Sequence, residues 1–357
     1  MNWHPRKNTD PSKPPVFHRR LRIGRLALIA VFAFAAVFGL TKLIRYGADL
    51  MASRRTSANL QVVYHSLTDD GITITPAPAL TIPPLSAAAA TPAPDEAPAS
   101  TPVPALTAAP VNAAEKKEDH EEDEEEYYLI EPTQSPIPSL DAVPYPHNPK
   151  VRINSRFRVL RKSCRHAVGW LTVADLVDEA VVQKDNEFFL DHDAFGRKNV
   201  NGAIFLDAAV DLKSRPYGII IYGHNMKTGA MFGGLRNFEN ATFYRKSPFI
   251  TFDTMYEEGR YVIFSVGQIC VNEDSADFVD FFSLLYSNID ERQDAISTLK
   301  KCSVYSNDLD VQPSDQLLML VTCVDNDNYR RVVAARRIRD GESENDLKKL
   351  VEQSKRR

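Results

Sequence analysis

The chain has little of what would staple it or pull it toward nucleic acid. Only four cysteines occur in 357 residues, Cys164, Cys270, Cys302 and Cys323. None falls in a CxxC pair, which excludes a zinc knuckle and a thioredoxin-type motif. A four-cysteine disulfide framework is not typical of a domain this large, so no obligatory bridge is expected. Charge of one sign is missing too: the net charge is −4 and no basic stripe with interleaved aromatics occurs, so no nucleic-acid partner is expected. No internal repeat with a structural period is found. Hydrophobic residues reach 43%, but alanine inflates the first half. The remainder suits a single domain of about 200 residues.

Residues 26–41, LALIAVFAFAAVFGLT, carry no charge. Extended to Ile44 past Lys42, which can snorkel, they make a helix of about 28 Å, close to the hydrocarbon thickness of a bilayer. Seven Lys or Arg precede the run against the single acid Asp10. The positive-inside rule then puts a basic tail, 1–25, in the cytoplasm and everything after the anchor, 26–44, outside the cell. No clean A-x-A site follows the run, so an uncleaved single-pass anchor is expected rather than a signal peptide.

Residues 45–149 read as an extracellular linker. Sixteen of the 23 prolines lie between 71 and 150. Proline fixes φ and removes a donor, so this Pro/Ala-rich stretch is expected to be a disordered, extended tether with a reach on the order of 200 Å. Within it, residues 115–126 hold nine carboxylates in twelve positions. Like charges keep such a run extended, and they could also receive a basic partner or cations.

The folded domain is expected at 150–342. Short β-rich runs recur there: AVGWLTV, EFFL, AIFLD, YGIIIYGH, YVIFSVGQIC, QLLMLVTC and RRVVAARRI. Helices are expected over 275–285 and 289–302 from apolar spacing of three to four. The sum is a mainly β domain, a closed or nearly closed barrel with helical insertions. A polar segment, 343–357, follows as a surface helix or tail.

Two strand ends carry reactive groups. His224 follows the apolar strand ending in YG, and Cys323 closes QLLMLVTC. Beyond a polar loop, the next strand opens with Arg330 and Arg331. Side chains at strand ends are held by the sheet yet open to substrate. A nearby cation favours the thiolate that a cysteine nucleophile requires. An arginine has no usable proton to give, so its natural task is hydrogen bonding to a carbonyl or oxyanion. By themselves these residues also allow plainer roles: a buried small cysteine, a turn histidine and a solvated strand edge.

The stretches YGHNMKTGAMF and LVTC…RRVVAARRI resemble the histidine and cysteine–arginine motifs of class B sortases. AVGWLTV and VVQKDNEFFLDHDAFGRKNVNGAIFLD resemble that family's early strands in content and order. The resemblance covers roughly 167–338, and VDEAVVQ departs from it where a tyrosine–proline is commoner. It implies a sortase-like closed β-barrel, with His224 and Cys323 as catalytic residues and Arg330, alternatively Arg331, as the catalytic arginine. It further implies that Thr322 shapes the oxyanion region, that Asp325 orients His224, and that Asn186 belongs to the substrate-binding or orienting set. The implied reaction is acyl transfer. Cys323 cleaves a C-terminal sorting motif of a secreted protein, and the thioacyl-enzyme passes to an amine of the cell-wall peptide or of a pilin. No cofactor is implied. Residues 325–328 look superficially like a calcium loop but lack its glycine and distal glutamate, so no metal is expected.

A papain-like enzyme places its cysteine before its histidine, whereas His224 here precedes Cys323 by 99 residues. The compact Ser-His-Gly-Cys signature of an L,D-transpeptidase is absent. A non-catalytic, wall-tethered peptide-binding β-barrel is the remaining alternative. Its cysteine would have no reason to be reactive.

Overall fold

A computed structural model describes residues 16–67, 145, 147–280, 288–289, 291–324 and 328–357. The proline-rich and acidic stretch, Asp325, and the second half of the helix expected at 275–285 lie outside the described residues.

Eight strands close a barrel in the order β1-β2-β3-β4-β8-β9-β6-β5, with β5 returning to β1. In sequence these are β1 (Ala167–Val173), β2 (Val177–Val182), β3 (Phe205–Leu206), β4 (Gly218–Tyr222), β5 (Phe249–Thr254), β6 (Arg260–Cys270), β8 (Leu317–Cys323) and β9 (Tyr329–Arg337). The short β7 (Tyr305–Ser306) pairs outside the barrel with β10 (Lys355–Arg356). The barrel is mixed: β2–β3 and β4–β8 are parallel, the other pairings antiparallel. β8 explains the unbroken apolar run LLMLV. All five of these residues are buried, as expected for a strand covered on both faces.

Several elements differ from the sequence reading. EFFL is a 3-10 turn (Phe188–Leu190) rather than a strand. Residues 275–280 form turns with an isolated Cys270–Phe278 bridge, not the start of a helix. The next expected helix is present as Arg292–Cys302. Of the two readings of 343–357, the helix is the one present: Glu344–Glu352 buries Leu347 and Val351 and leads into β10.

The largest difference concerns residues 45–65. Helix α1 runs from Val16 to His65, through the apolar segment and well into what composition assigned to the linker. Val31 to Ile44 present their large hydrophobic side chains outward. Beyond Asp49 the helix lies against the barrel domain, where Leu60 and Tyr64 are buried. The Tyr64 ring stacks on Trp170 of β1 at 4.2 Å, and its hydroxyl donates to Asp253 at 2.7 Å. Gln61 donates to the Asp178 carbonyl at 2.8 Å, and His65 pairs with the Asp178 carboxylate at 2.9 Å. Helix α2 (Ser155–Ser163) completes this side, with the Arg156 guanidinium 5.0 Å from the Tyr64 ring centre. Chain leaving α1 at Leu67 is back on the domain by Tyr145, whose side chain is buried and bonds the Leu212 carbonyl. The proline-rich stretch is therefore bounded in sequence at both ends by residues of the barrel domain.

Candidate active site

The site is built at the ends of three neighbouring strands. β4 and β8 run parallel, with Tyr222 beside Val321, and the Gly223 amide donates to the Val321 carbonyl at 3.3 Å. β8 runs two residues further to Cys323, whereas β4 ends at Tyr222 and His224 is the second residue past its end. β8 and β9 are antiparallel, and there Cys323 lies directly opposite Arg330. Directly opposed residues project to one face, with Cβ atoms about 4.5–5.5 Å apart. Their neighbours, Thr322 and Arg331, form the next pair and project to the other face.

That alternation separates the two arginines. Arg331 is 9% exposed, and its Nε and Nη2 donate to Glu239 Oε1 at 3.1 and 2.9 Å. Glu239 ends the 3-10 segment Gly233–Glu239 that follows the His224 turn. Arg330 is half-buried beside the exposed Cys323, and one of its nitrogens donates to the Tyr329 carbonyl at 2.9 Å.

His224 is held by backbone on two sides. Its Nε2 lies 2.6 Å from the Leu190 carbonyl. A carbonyl only accepts, so Nε2 carries the hydrogen and Nδ1 has the lone pair in the neutral ring. The His224 carbonyl in turn accepts from Met226 and Phe232, closing the turn. Two glycines make the approach possible. A Cβ on Gly202, whose φ is +62°, would stand 2.4 Å from the Phe189 carbonyl and 3.1 Å from His224 Cδ2. A Cβ on Gly223 would meet the Phe232 ring at 2.9 Å.

The other expected site residues are distributed differently. Thr322 is buried next to Cys323, and its hydroxyl has no hydrogen-bond partner among the described residues. Asn186 spends its amide on the scaffold, donating to Asp207 at 3.2 Å and accepting from the Ala208 amide at 2.8 Å. Asp207 also accepts from the Tyr222 hydroxyl at 2.8 Å, so Asn186 braces the strand that carries His224. Glu239, the Leu190 carbonyl and Gly202 were not foreseen. Only Gly202 left a signal, the Asn-Gly turn dipeptide at 201–202.

The four cysteines, all free thiols, are unlike in setting. Burial pushes the Cys164 thiol up to about 12 and raises that of Cys302, while Cys270 is buried and Cys323 exposed. Cys323 is thus the thiol that is both exposed and directly opposite an arginine. Among the described residues no cluster of His, Cys, Asp and Glu could hold a metal ion.

The chain is 32% identical to sortase B of Listeria monocytogenes over 181 residues, which is 50% of this chain and 71% of the relative. The chain belongs to the class B sortases. Staphylococcus aureus sortase B is 26% identical over 190 residues, 52% of this chain and 75% of that one. A crystal structure from Bacillus anthracis, described as similar to sortase B, is 29% identical and covers 52% of this chain and 84% of that one, with a TM-score of 0.46. A scan of protein-family models gave no match. This sortase is accordingly a cysteine transpeptidase by family, with the mixed closed barrel described above.

Proposed function

We propose that this sortase is membrane-anchored and that Cys323, His224 and Arg330 carry its transpeptidation of secreted proteins bearing a C-terminal sorting motif. The observation behind the residue assignment is the register: Cys323 lies opposite Arg330 across β8–β9, and His224 leaves the end of β4, the strand paired with β8 on its other side. Cys323 gives its thiol proton to Nδ1 of His224, and the thiolate attacks the carbonyl carbon of the motif's scissile bond. Arg330 donates hydrogen bonds to the oxyanion, which needs fixed donors where charge develops. His224, with Nε2–H kept by Leu190, delivers a proton from Nδ1 to the departing amine as the C–N bond breaks. An acceptor amine on cell-wall peptide or a pilin then attacks the thioester and gives its proton to the same nitrogen. The thiolate leaves and an amide remains. Thr322 supports the oxyanion region from behind the strand.

The anchor is α1, whose segment Val31–His65 has a mean hydropathy of 1.4 in its best window. The basic residues before it place the N-terminus in the cytoplasm and the barrel outside. The test uses the full chain in detergent or vesicles, a panel of fluorogenic sorting peptides, and an amine acceptor. Cleavage with amide formation that disappears in Cys323→Ala is expected. No cleavage of any peptide, together with Cys323 inert to iodoacetamide at neutral pH, would leave a peptide-binding barrel in place of an enzyme.

A further inference from the structure

We propose that the loop 190–200 is a lipid-contacting surface that seats the catalytic domain on the leaflet from which α1 emerges, with His224 held just above it. The inference rests on α1 being the membrane anchor and adds where the domain sits. Ile44 ends the apolar run, and Arg45 and Tyr46 follow it, residue types that settle at a membrane interface. Five residues further, about 7.5 Å along the helix, the Asp49 carbonyl accepts from Asn199 Nδ2 at 3.0 Å. The polar layer of a bilayer is roughly 5–8 Å deep on each side. Asn199 therefore stands at headgroup level as soon as the helix leaves the hydrocarbon.

The attachment is built, not incidental. Ser53 donates to Asn199 at 3.3 Å and accepts from Asn201 at 3.2 Å, and all three side chains are buried. One turn on, Thr56 donates to Asp193 at 3.4 Å and accepts from Arg197 at 2.7 Å. The helix and the loop thus move as one body over this stretch. Outward from it the loop exposes Leu190 (44%) and Val200 (53%). Its charges are already neutralised within the loop, Lys198 by Asp191 and Arg197 by Asp193. Exposed apolar side chains with internally paired charges suit a lipid surface and do not require anionic headgroups. Because the Leu190 carbonyl holds His224, the contact fixes the height of the catalytic histidine.

The experiment places a tryptophan in the full chain, in a Trp3→Phe background, and reconstitutes it in phosphatidylcholine vesicles carrying shallow spin-labelled lipid. Trp170 is buried in every variant and supplies a constant background. Val200→Trp and, as a second position, Leu190→Trp are expected to lose most of their added emission. Val62→Trp, exposed but about 27 Å beyond Ile44 along the helix, is expected to lose none. Co-flotation with the vesicles but equal quenching at 200, 190 and 62 would overturn the seating while leaving the anchor intact. Failure to co-float would overturn the anchor, and the seating with it.

Discussion

Replacing each of the two adjacent arginines separately tests the register on which the site is built. Arg330 faces Cys323 across β8–β9, whereas Arg331 is turned to the other face and bound to Glu239 through two nitrogens. Removing one oxyanion donor costs about 10²–10³ in kcat, or roughly 2.7–4 kcal/mol of barrier. Arg330→Ala should therefore lose that much in kcat with an unchanged melting temperature. Arg330→Lys should recover only part, because an ammonium lacks the planar fork. Arg331→Ala breaks an ion pair whose arginine is buried and whose glutamate is about a third exposed. Solvent screening keeps the cost to about 1–2 kcal/mol, or roughly 2–8 °C in Tm for a domain of this size. Its kcat, measured well below that Tm, should change little. Steady-state cleavage of a sorting peptide and thermal unfolding on the same samples read both quantities. A larger kcat loss in Arg331→Ala than in Arg330→Ala, with both folded, would refute the register argument.

Tyr64→Ala removes a stacked ring and a hydrogen bond to a carboxylate from the α1 interface, and should cost about 3–5 kcal/mol, seen as a shifted denaturation midpoint. Glu179, lodged under α1, has its carboxyl raised by burial from 4.5 to about 7 despite a hydrogen bond from Ser57. Its contribution is therefore fully present below about pH 4.5 and is lost as pH rises through 7, a total of about 2–3 kcal/mol. Glu179→Gln should flatten the fall in Tm between pH 5 and 8, and an unchanged slope would count against the burial. Gly202→Ala should drive the 190–203 segment off His224, lowering kcat more than it raises KM; a variant with wild-type kcat would show that the Leu190 contact is dispensable.

The strands that hold the site were legible because their apolar runs end where the chemistry begins. QLLMLVTC gave β8 to its last residue, and GIIIY gave β4. β5 was passed over although FITFDT alternates buried and half-buried positions, since threonine and aspartate on its outer face dilute the run. EFFL has strand-like composition, but the Asp185 carboxylate caps the Glu187 and Phe188 amides and winds it into a 3-10 turn. Arg330 and Arg331 could not be separated from spacing. Which one meets Cys323 depends on the turn joining the strands, and one residue of slip exchanges their faces. The Glu239 partner of Arg331 is 92 residues away, beyond any local pattern.

Compositional reading failed most instructively at residues 45–65, and its failure reassigns the proline-rich segment. Ser53, Thr56, Leu60 and Tyr64 recur at three- and four-residue spacing and form the docked face of α1, a helical period hidden by its mixture of polar and apolar types. With that face docked and α1 as the proposed anchor, the helix and not the proline-rich stretch would set how far the domain stands from the membrane. Residues 68–144 then join two points of one domain, and their length enters only as the entropy of closing a loop. That term changes by about 0.6 kcal/mol for each doubling of length. Deleting residues 75–131 should accordingly leave Tm within a few degrees and leave cleavage of a vesicle-bound sorting substrate intact. Had the segment been a tether that sets reach, the same deletion would change which membrane-bound substrates are cleaved while sparing soluble peptides.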